Sequence, residues 1–512
     1  MLFIGNVLSN LVAAVGSIVV ARLLGSINYG IVGIALVPIT FIGLFSNWGI
    51  SSAMIRFLAQ YRSQEREEET KGILLAGMFT MCLIGILLFL TALIAAPFLA
   101  TNIFHRPELT PLIKIASLTL LTSQMILSSQ TTFIGFERME FYSLTMFLQS
   151  LTKTLLAPFL VWLGYEALGA MLGHTLSLLL TSIFAIFAVY FSIWRSLRRS
   201  SVSLNFFGNL KTMLRYGYPL FISTLLSGAL SQIYNFLMAL YCSESMIGNY
   251  LAASNFTVLI TFLTMPISTV LFPAFSKLDH QREKGALKIV FQNSVKYTAL
   301  VTLPVVAALI LLSKPLVHLL YGEGYQLAPL FLVLYALTFI FVGLGGYSLG
   351  NLLNSQGKTK AVMALNATRL FTGVPLSLYL IPRFQIVGLL VTMIVTTVPA
   401  IAAGIWWVKK DFDFSIEFNS SAKIYAATVA STLPTFFLLK WLAMGDLITF
   451  LLGGFLLLFL YIISISLTGA LEKKDIQNLR GIATELGPFS HLFNFLLSLV
   501  EKIMIRLSKY QP

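Results

Sequence analysis

Apolar residues run in blocks of about twenty along the whole chain, separated by short polar and charged stretches. A helix rises 1.5 Å per residue, so about 20 apolar residues span the hydrocarbon core of a bilayer. Fourteen blocks meet that length, near residues 2–24, 31–55, 72–96, 111–133, 141–163, 167–193, 216–241, 247–273, 289–313, 327–352, 362–380, 387–407, 424–440 and 448–469. The pattern therefore predicts an all-α, polytopic membrane protein of about 14 transmembrane helices. The first block is too long for a signal-peptide core and lacks a basic leader, so it reads as a retained helix. Beyond residue 470, His491, Asn494, Ser498, Glu501, Lys502, Arg506 and Lys509 recur at three- and four-residue steps. That spacing predicts a cytoplasmic amphipathic tail lying on the inner leaflet as an anchor.

The chain also repeats. A shift of 218 positions pairs Gly30 with Gly248, Phe57 with Phe275, Glu65 with Glu283, Pro97 with Pro315 and Pro111 with Pro329. A four-residue slip further on pairs Gly135 with Gly357. The offset covers six helices, an even number, so two six-helix lobes of the same orientation are expected. The organisation is read as an N-lobe over 1–214, a C-lobe over 215–410, two extra helices over 411–469 and the tail over 470–512.

Composition agrees with a membrane setting. The 512 residues are 57% hydrophobic and 11% charged, against about 25% charged in soluble domains. The net charge of +14 acquires its meaning from position. With the N-terminus placed in the cytoplasm, 25 of the 34 Lys and Arg fall in inside loops or the tail, as the positive-inside rule requires. Both termini are then expected on the cytoplasmic side, and nucleic acid is not needed as a partner. Cys82 and Cys242 sit in apolar segments, and the five histidines are scattered, so neither a disulfide framework nor a metal site is expected. The short loops and the lack of nucleotide, serine-hydrolase or zinc-protease motifs point away from an enzyme.

Ionisable residues inside the membrane carry the functional signal, because they usually face a cavity or a partner. Lys153 lies about twelve residues into helix 5 and shares a face with Gln149 and Thr145, a polar stripe expected to line a wet cavity. Lys296 and Arg369 sit about seven residues from the inner ends of their helices. Gln292 and Asn293 neighbour the first, Asn366 the second, and snorkelling to headgroups competes with a cavity role for both. Arg22 lies about 30 Å from the inner end of helix 1, where snorkelling is easy, and Lys114 reads as an interface anchor. None of these five cations has a carboxylate deep in the first twelve helices to pair with, which favours an anionic cargo. Ser223, Ser227, Ser231 and Asn235 at four-residue steps read as close helix packing in preference to a hydroxyl-lined wall. Trp48-Gly49 marks a plausible bend in helix 2.

Ala21 to Gly25 (Ala-Arg-Leu-Leu-Gly), Tyr29-Gly30, and Gly49 to Ala53 (Gly-Ile-Ser-Ser-Ala) resemble the opening of the polysaccharide transporter family. These are the O-antigen and lipid-linked oligosaccharide flippases of the multidrug/oligosaccharidyl-lipid/polysaccharide exporter superfamily. The resemblance implies a MATE-like pair of lobes around a central cavity that alternates between inward- and outward-facing states. Glycan on a polyprenyl phosphate or pyrophosphate carrier would be its cargo, moved from the cytoplasmic to the outer face. By position, Arg22 and Arg56 match the family's basic residues that meet the phosphate. The expected substrate-binding set is therefore Arg22, Arg56, Lys153, Gln149, Lys296, Arg369 and Asn366. No cofactor is expected, and a coupling ion, Na+ or H+, is left open. The expected partners are the lipid-linked oligosaccharide, membrane lipids and a glycan polymerase or glycosyltransferase, with the chain working as a monomer. A lipid II flippase, a multidrug or cation antiporter, and a non-transporting scaffold are the competing readings.

Overall fold

The computed structural model describes residues 2–197, 205–278, 282–471 and 473–484, with 494, 497, 498, 500 and 501. Among these the protein is helical throughout and has no strand. The chain divides into two compact units, Met1–Leu251 and Ala252–Pro512. The first holds α1 (Leu2–Gly43), α2 (Ile50–Ser63), α3 (Glu67–Phe98), α4 (Thr110–Gly135), α5 (Met139–Leu160), α6 (Glu166–Val189), the short α7 (Arg195–Leu197) and α8 (Phe206–Tyr241). α9 (Glu244–Asn255) carries the chain across the division. The second holds α10 (Thr257–Lys277), α11 (Lys284–Leu311), α12 (Ser313–Tyr321), α13 (Ala328–Leu337), α14 (Ser348–Ser355), α15 (Thr359–Phe412), α16 (Phe418–Leu442), α17 (Asp446–Leu467) and α18 (Lys473–Thr484). The repeat boundary expected at 214/215 falls inside α8, which packs against α1, α2 and α3 and so belongs to the first unit.

Nine of the described helices are long and apolar enough to cross a membrane, ten with the bent pair Ala328–Leu344 and Ser348–Ser355. Three of them are interrupted within their length. Met139–Trp194 and Thr359–Phe412 have 56 and 54 residues, about 80 Å if straight, and Leu8–Gly43 has 36. Each contains a residue with left-handed backbone: Gly25 (φ 70°), Gly164 (φ 92°) followed by Glu166 (φ 43°), and Gln385 (φ 53°). Glycine adopts that region without penalty, so Gly25 and Gly164 are natural turning points. The chain folds back tightly there: a Cβ on Gly173 of α6 would lie 2.4 Å from Ala157 Cα of α5. The bend expected at Trp48 is present, with Gly49 at φ 75° and the Trp48 indole donating to Phe45 O at 2.8 Å. The expected eighth helix, 247–273, is divided between α9 and α10.

Large apolar side chains point outward, among them Ile94 at 77% and Trp441 at 81% exposure. In water such a surface would aggregate; against lipid it is the required one. Many buried hydroxyls bond to the backbone of their own helix, which suits a spanning segment: Thr80 donates to Ala76 O, Thr181 to Ser177 O and Thr392 to Gly388 O.

Within the first unit, the sequence repeat has a direct structural expression. A Cβ on Gly30 would lie 1.8 Å from Glu244 O, and one on Gly248 would lie 1.8 Å from Ser26 O. Gly30 and Gly248 are repeat partners, and so are Ser26 and Glu244. The two copies meet here backbone to backbone, and only glycine permits the approach. Close by, Arg106 donates to Ala239 O and Cys242 O, both at 2.8 Å, and pairs with Glu244 at 2.7 Å. It thereby caps the carbonyl end of α8 with a cation.

In the second unit, α18 overturns one expectation. Lys296 of α11 was expected to have no carboxylate; Asp475 of α18 meets it at 2.7 Å, with side-chain exposures of 11% and 8%. Tyr297 donates to the other oxygen of Asp475 at 2.9 Å, and Asn478 donates to the Tyr297 hydroxyl at 2.9 Å. Asp475 stands in the first turn of α18, where the helix dipole favours an anion. Ile476 and Leu479 join the apolar cluster of Tyr297, Leu303 and Tyr461. This part of the tail is thus built into the unit. The leaflet-bound helix expected from His491 to Lys509 lies mostly outside the described residues.

Two outcomes test this packing. Asp475→Asn or Lys296→Met alone should cost about 3–5 kcal/mol of stability, whereas replacing both by apolar residues should be close to neutral. Thermal unfolding in detergent reads the difference, and equal melting of single and double variants would refute the buried pair. Gly30→Ala should cost about 1–3 kcal/mol through overpacking against Glu244 O; an unchanged melting temperature would show that the helices do not meet there.

Candidate functional site

A cavity of about 280 Å³ lies within the first unit. Ala13, Gly16, Ser17 and Val20 line it from the first arm of α1, and Tyr29, Val32, Gly33, Leu36, Val37 and Thr40 from the second. Both arms therefore flank one space, which follows from the reversal at Gly25. Lys153, Thr154 and Ala157 of α5, Ala170 and His174 of α6, and Asn235 and Met238 of α8 complete most of the wall. Small residues bring the helices this close. A Cβ on Gly16 would lie 2.3 Å from Thr154 Oγ1, and Thr154 donates to Val12 O at 2.9 Å.

The polar groups of the wall differ in what they already bond. The Ser17 and Tyr29 hydroxyls sit 3.1 Å apart across the two arms. Thr40 donates to Gln232 Oε1 at 3.0 Å, and Asn235 Nδ2 approaches the same oxygen at 3.5 Å. Lys153 has neither a hydrogen bond nor an ion pair among the described residues, and no carboxylate lines the cavity. Its side chain keeps free surface in a wall otherwise mostly apolar. Fourteen residues separate it from the start of α5 and eleven from the turn at Gly164, about 20 and 16 Å, so its ammonium lies well inside both ends of the hairpin arm. His174 holds its Nδ1 buried without a hydrogen-bond partner. A wall with one basic side chain, further hydrogen-bond donors and no acid has the chemistry that an anion would need.

The expected residues divide by location. Of the set named from sequence, Lys153 lines the cavity. Gln149 is half-buried one turn before it, and Thr145 is buried with its hydroxyl turned to Phe141 O. Arg22 is exposed three residues before the turn at Gly25, outside the cavity wall. Arg56 is exposed on α2, beyond the break at Gly49, with its guanidinium 4.5 Å over the Tyr216 ring. In the second unit, Lys296 is held by Asp475, while Arg369 is exposed on α15 with Asn366 half-buried beside it. Ser223, Ser227 and Ser231 are exposed, so the close packing expected of that stripe is not formed; Asn235 reaches the cavity.

Sequence reasoning missed His174. The signal was nonetheless present: Gly164 lies midway between Lys153 and His174, so a hairpin turning there sets the two level on adjacent helices. Tyr29 and Thr40 were missed for a related reason. Their approach to Ser17 and Ala13 depends on α1 reversing at Gly25, which hydropathy alone does not reveal.

Comparison with known proteins follows the same outline. A family model described as polysaccharide biosynthesis protein matches residues 1–279, and one described as MatE matches residues 219–379. The lipopolysaccharide biosynthesis protein WzxC of Escherichia coli (strain K12) is 22% identical over 363 residues, covering 70% of this chain and 69% of that protein. A putative O-antigen transporter of Shigella dysenteriae is 23% identical over 196 residues, covering 38% of this chain and 47% of that protein. Among solved structures, the lipid II flippase MurJ in an inward closed conformation matches with a TM-score of 0.74 at 16% identity, over 91% of this chain and 97% of that one. An inward-facing multidrug resistance MATE family transporter of the MOP superfamily matches with a TM-score of 0.64 at 20% identity, over 79% of this chain and 94% of that one. At these identities the structural matches establish the fold.

Proposed function

The chain belongs to the polysaccharide biosynthesis protein family, whose model matches more than half of it, and from that membership we propose that it is a flippase for lipid-linked oligosaccharide. It would carry a glycan joined to a polyprenyl phosphate or pyrophosphate from the cytoplasmic to the outer face of a prokaryotic plasma membrane, by alternating access. The distribution of Lys and Arg supports a cytoplasmic position for both termini. The observation that carries the reading is the unpaired Lys153 in an acid-free cavity among membrane-spanning helices.

The physics of the cargo explains the need for such a group. A phosphate entering hydrocarbon loses its hydration, and only a nearby counter-charge and donors make up for it. Lys153 supplies that charge as a point cation on a flexible stem, which grips less rigidly than an arginine fork. Moderate grip suits transport, since a carrier must release on the far side what it binds on the near side. The cavity has room for a phosphate or pyrophosphate head, while the isoprenoid tail stays among lipids and the sugars require a more open state.

An antiporter of cationic drugs would need a carboxylate in the cavity, and none lines it. A lipid II flippase would meet the same pyrophosphate chemistry, so the two readings differ in the glycan alone. Na+ or H+ remains the proposed coupling ion, and a single chain contains the whole cavity.

In a strain lacking its own flippase, Lys153→Ala should lower export of the lipid-linked glycan by about ten- to a hundredfold, the loss of one charged hydrogen bond. Lys153→Arg should keep a measurable part. The readout is surface glycan and lipid-linked precursor at matched protein levels. Normal export by Lys153→Ala would overturn the anionic-cavity reading.

A further inference from the structure

We propose that His174 is the second anion-positioning residue of the cavity, and that it takes up one proton when the phosphate head of the cargo binds beside Lys153. The inference rests on the flippase reading and deepens it, because it names a proton that travels with the bound headgroup.

Three observations converge. His174 and Lys153 line the same cavity from adjacent helices of one hairpin. The imidazole Nδ1 is buried and bonds to nothing in the protein, a cost that structures rarely leave unmet. The titratable groups facing it are Lys153 from α5 and Tyr29 from α1; α8 contributes the amide of Asn235, and no carboxylate lines the wall from any of these helices. Among the described residues, then, no carboxylate of this wall offers His174 a counter-charge that would hold a proton on it.

A bound phosphate changes that balance. It brings one negative charge as a phosphate diester, or two as a pyrophosphate diester, between the ammonium and the imidazole, turning two groups that would repel as cations into two donors on one anion. The imidazole then donates through an N–H that it lacks when empty and neutral. The proton comes from solvent, the anion keeps its own bonds, and no covalent step is involved. Release on the far side returns the proton with the headgroup. A headgroup of higher charge recruits the proton more strongly, so the pair favours pyrophosphate over a phosphate diester.

The test uses the full chain in nanodiscs with inorganic pyrophosphate as the probe. Titration calorimetry in two buffers of different ionisation enthalpy measures protons taken up per pyrophosphate bound. The expected result is uptake approaching one proton, with affinity rising by up to about tenfold for each pH unit lowered while that proton is being taken up. His174→Gln should bind more weakly, with uptake reduced by more than half and a flatter pH profile. Unchanged uptake in His174→Gln, or a pH-independent wild type, would overturn the role of His174 while leaving Lys153 in place. Binding that ignores Lys153→Ala would instead overturn the anion site itself. His174→Asn provides the same comparison if His174→Gln fails to fold, and the proton exchange of pyrophosphate itself cancels in the difference between variant and wild type.

Discussion

An ammonium without a counter-ion among membrane helices is the constraint around which the first unit is arranged. Burying a lone charge in a low-dielectric setting is so unfavourable that proteins pair it, hydrate it or reserve it for a ligand. Lys153 has no acid in its cavity wall, so the cavity must admit water or an anion. The backbone is shaped to provide that space. Gly25 turns α1 back so that its two arms face each other across the cavity. Gly164 turns α5 into α6 and brings His174 level with Lys153. Gly16 and Gly173 close the helices around the void instead of filling it. The same residue type thus serves opposite ends, making turns in two places and tight walls in two others.

Lys296 shows the alternative outcome for a membrane cation. There the chain returns 179 residues later to deliver Asp475, with Tyr297 and Asn478 completing the network. That lysine is structural: it ties α18 to α11 and is already satisfied. The contrast separates two residues that looked alike as isolated lysines in apolar blocks. A cation is a candidate for substrate when its own protein leaves it unmatched, and Lys153 meets that condition where Lys296 does not.

The membrane architecture was legible because hydropathy is local: each apolar block answers to its own composition, and the blocks coincide with the helices at most positions. The polar stripe ending at Lys153 was legible for the same reason, since one helical face can be read from four-residue spacing. What escaped was every relation that depends on where the chain turns. The pairing of Lys153 with His174 needs the hairpin at Gly164, and the facing arms of α1 need the reversal at Gly25. Asp475 was invisible as a partner because it sits in a polar segment that composition assigns to the surface. The stripe of Ser223, Ser227 and Ser231 misled in the other direction: small residues are compatible with tight packing, yet their exposure shows that spacing alone does not supply a neighbour.

The repeat adds a final constraint on how the site arose. Backbone contacts obey the symmetry: Gly30 and Gly248 exchange equivalent approaches to Glu244 and Ser26, themselves a repeat pair. The cations within the membrane helices do not obey it. With the slip that aligns Gly135 and Gly357, the position of Lys153 falls on Pro375 in the second copy and that of Arg369 on Phe147 in the first; the partner of Lys296, before the slip, is Met78. Close helix packing at a shared axis tolerates only one solution, so both copies kept it. A cargo whose charge is concentrated in one headgroup requires only one strong cation, and a second at the symmetric position would have to be neutralised in every empty state. Symmetric scaffold and asymmetric charge suit the proposed cargo, an anion attached to a long apolar tail, because the two halves of such a molecule would ask different things of the protein.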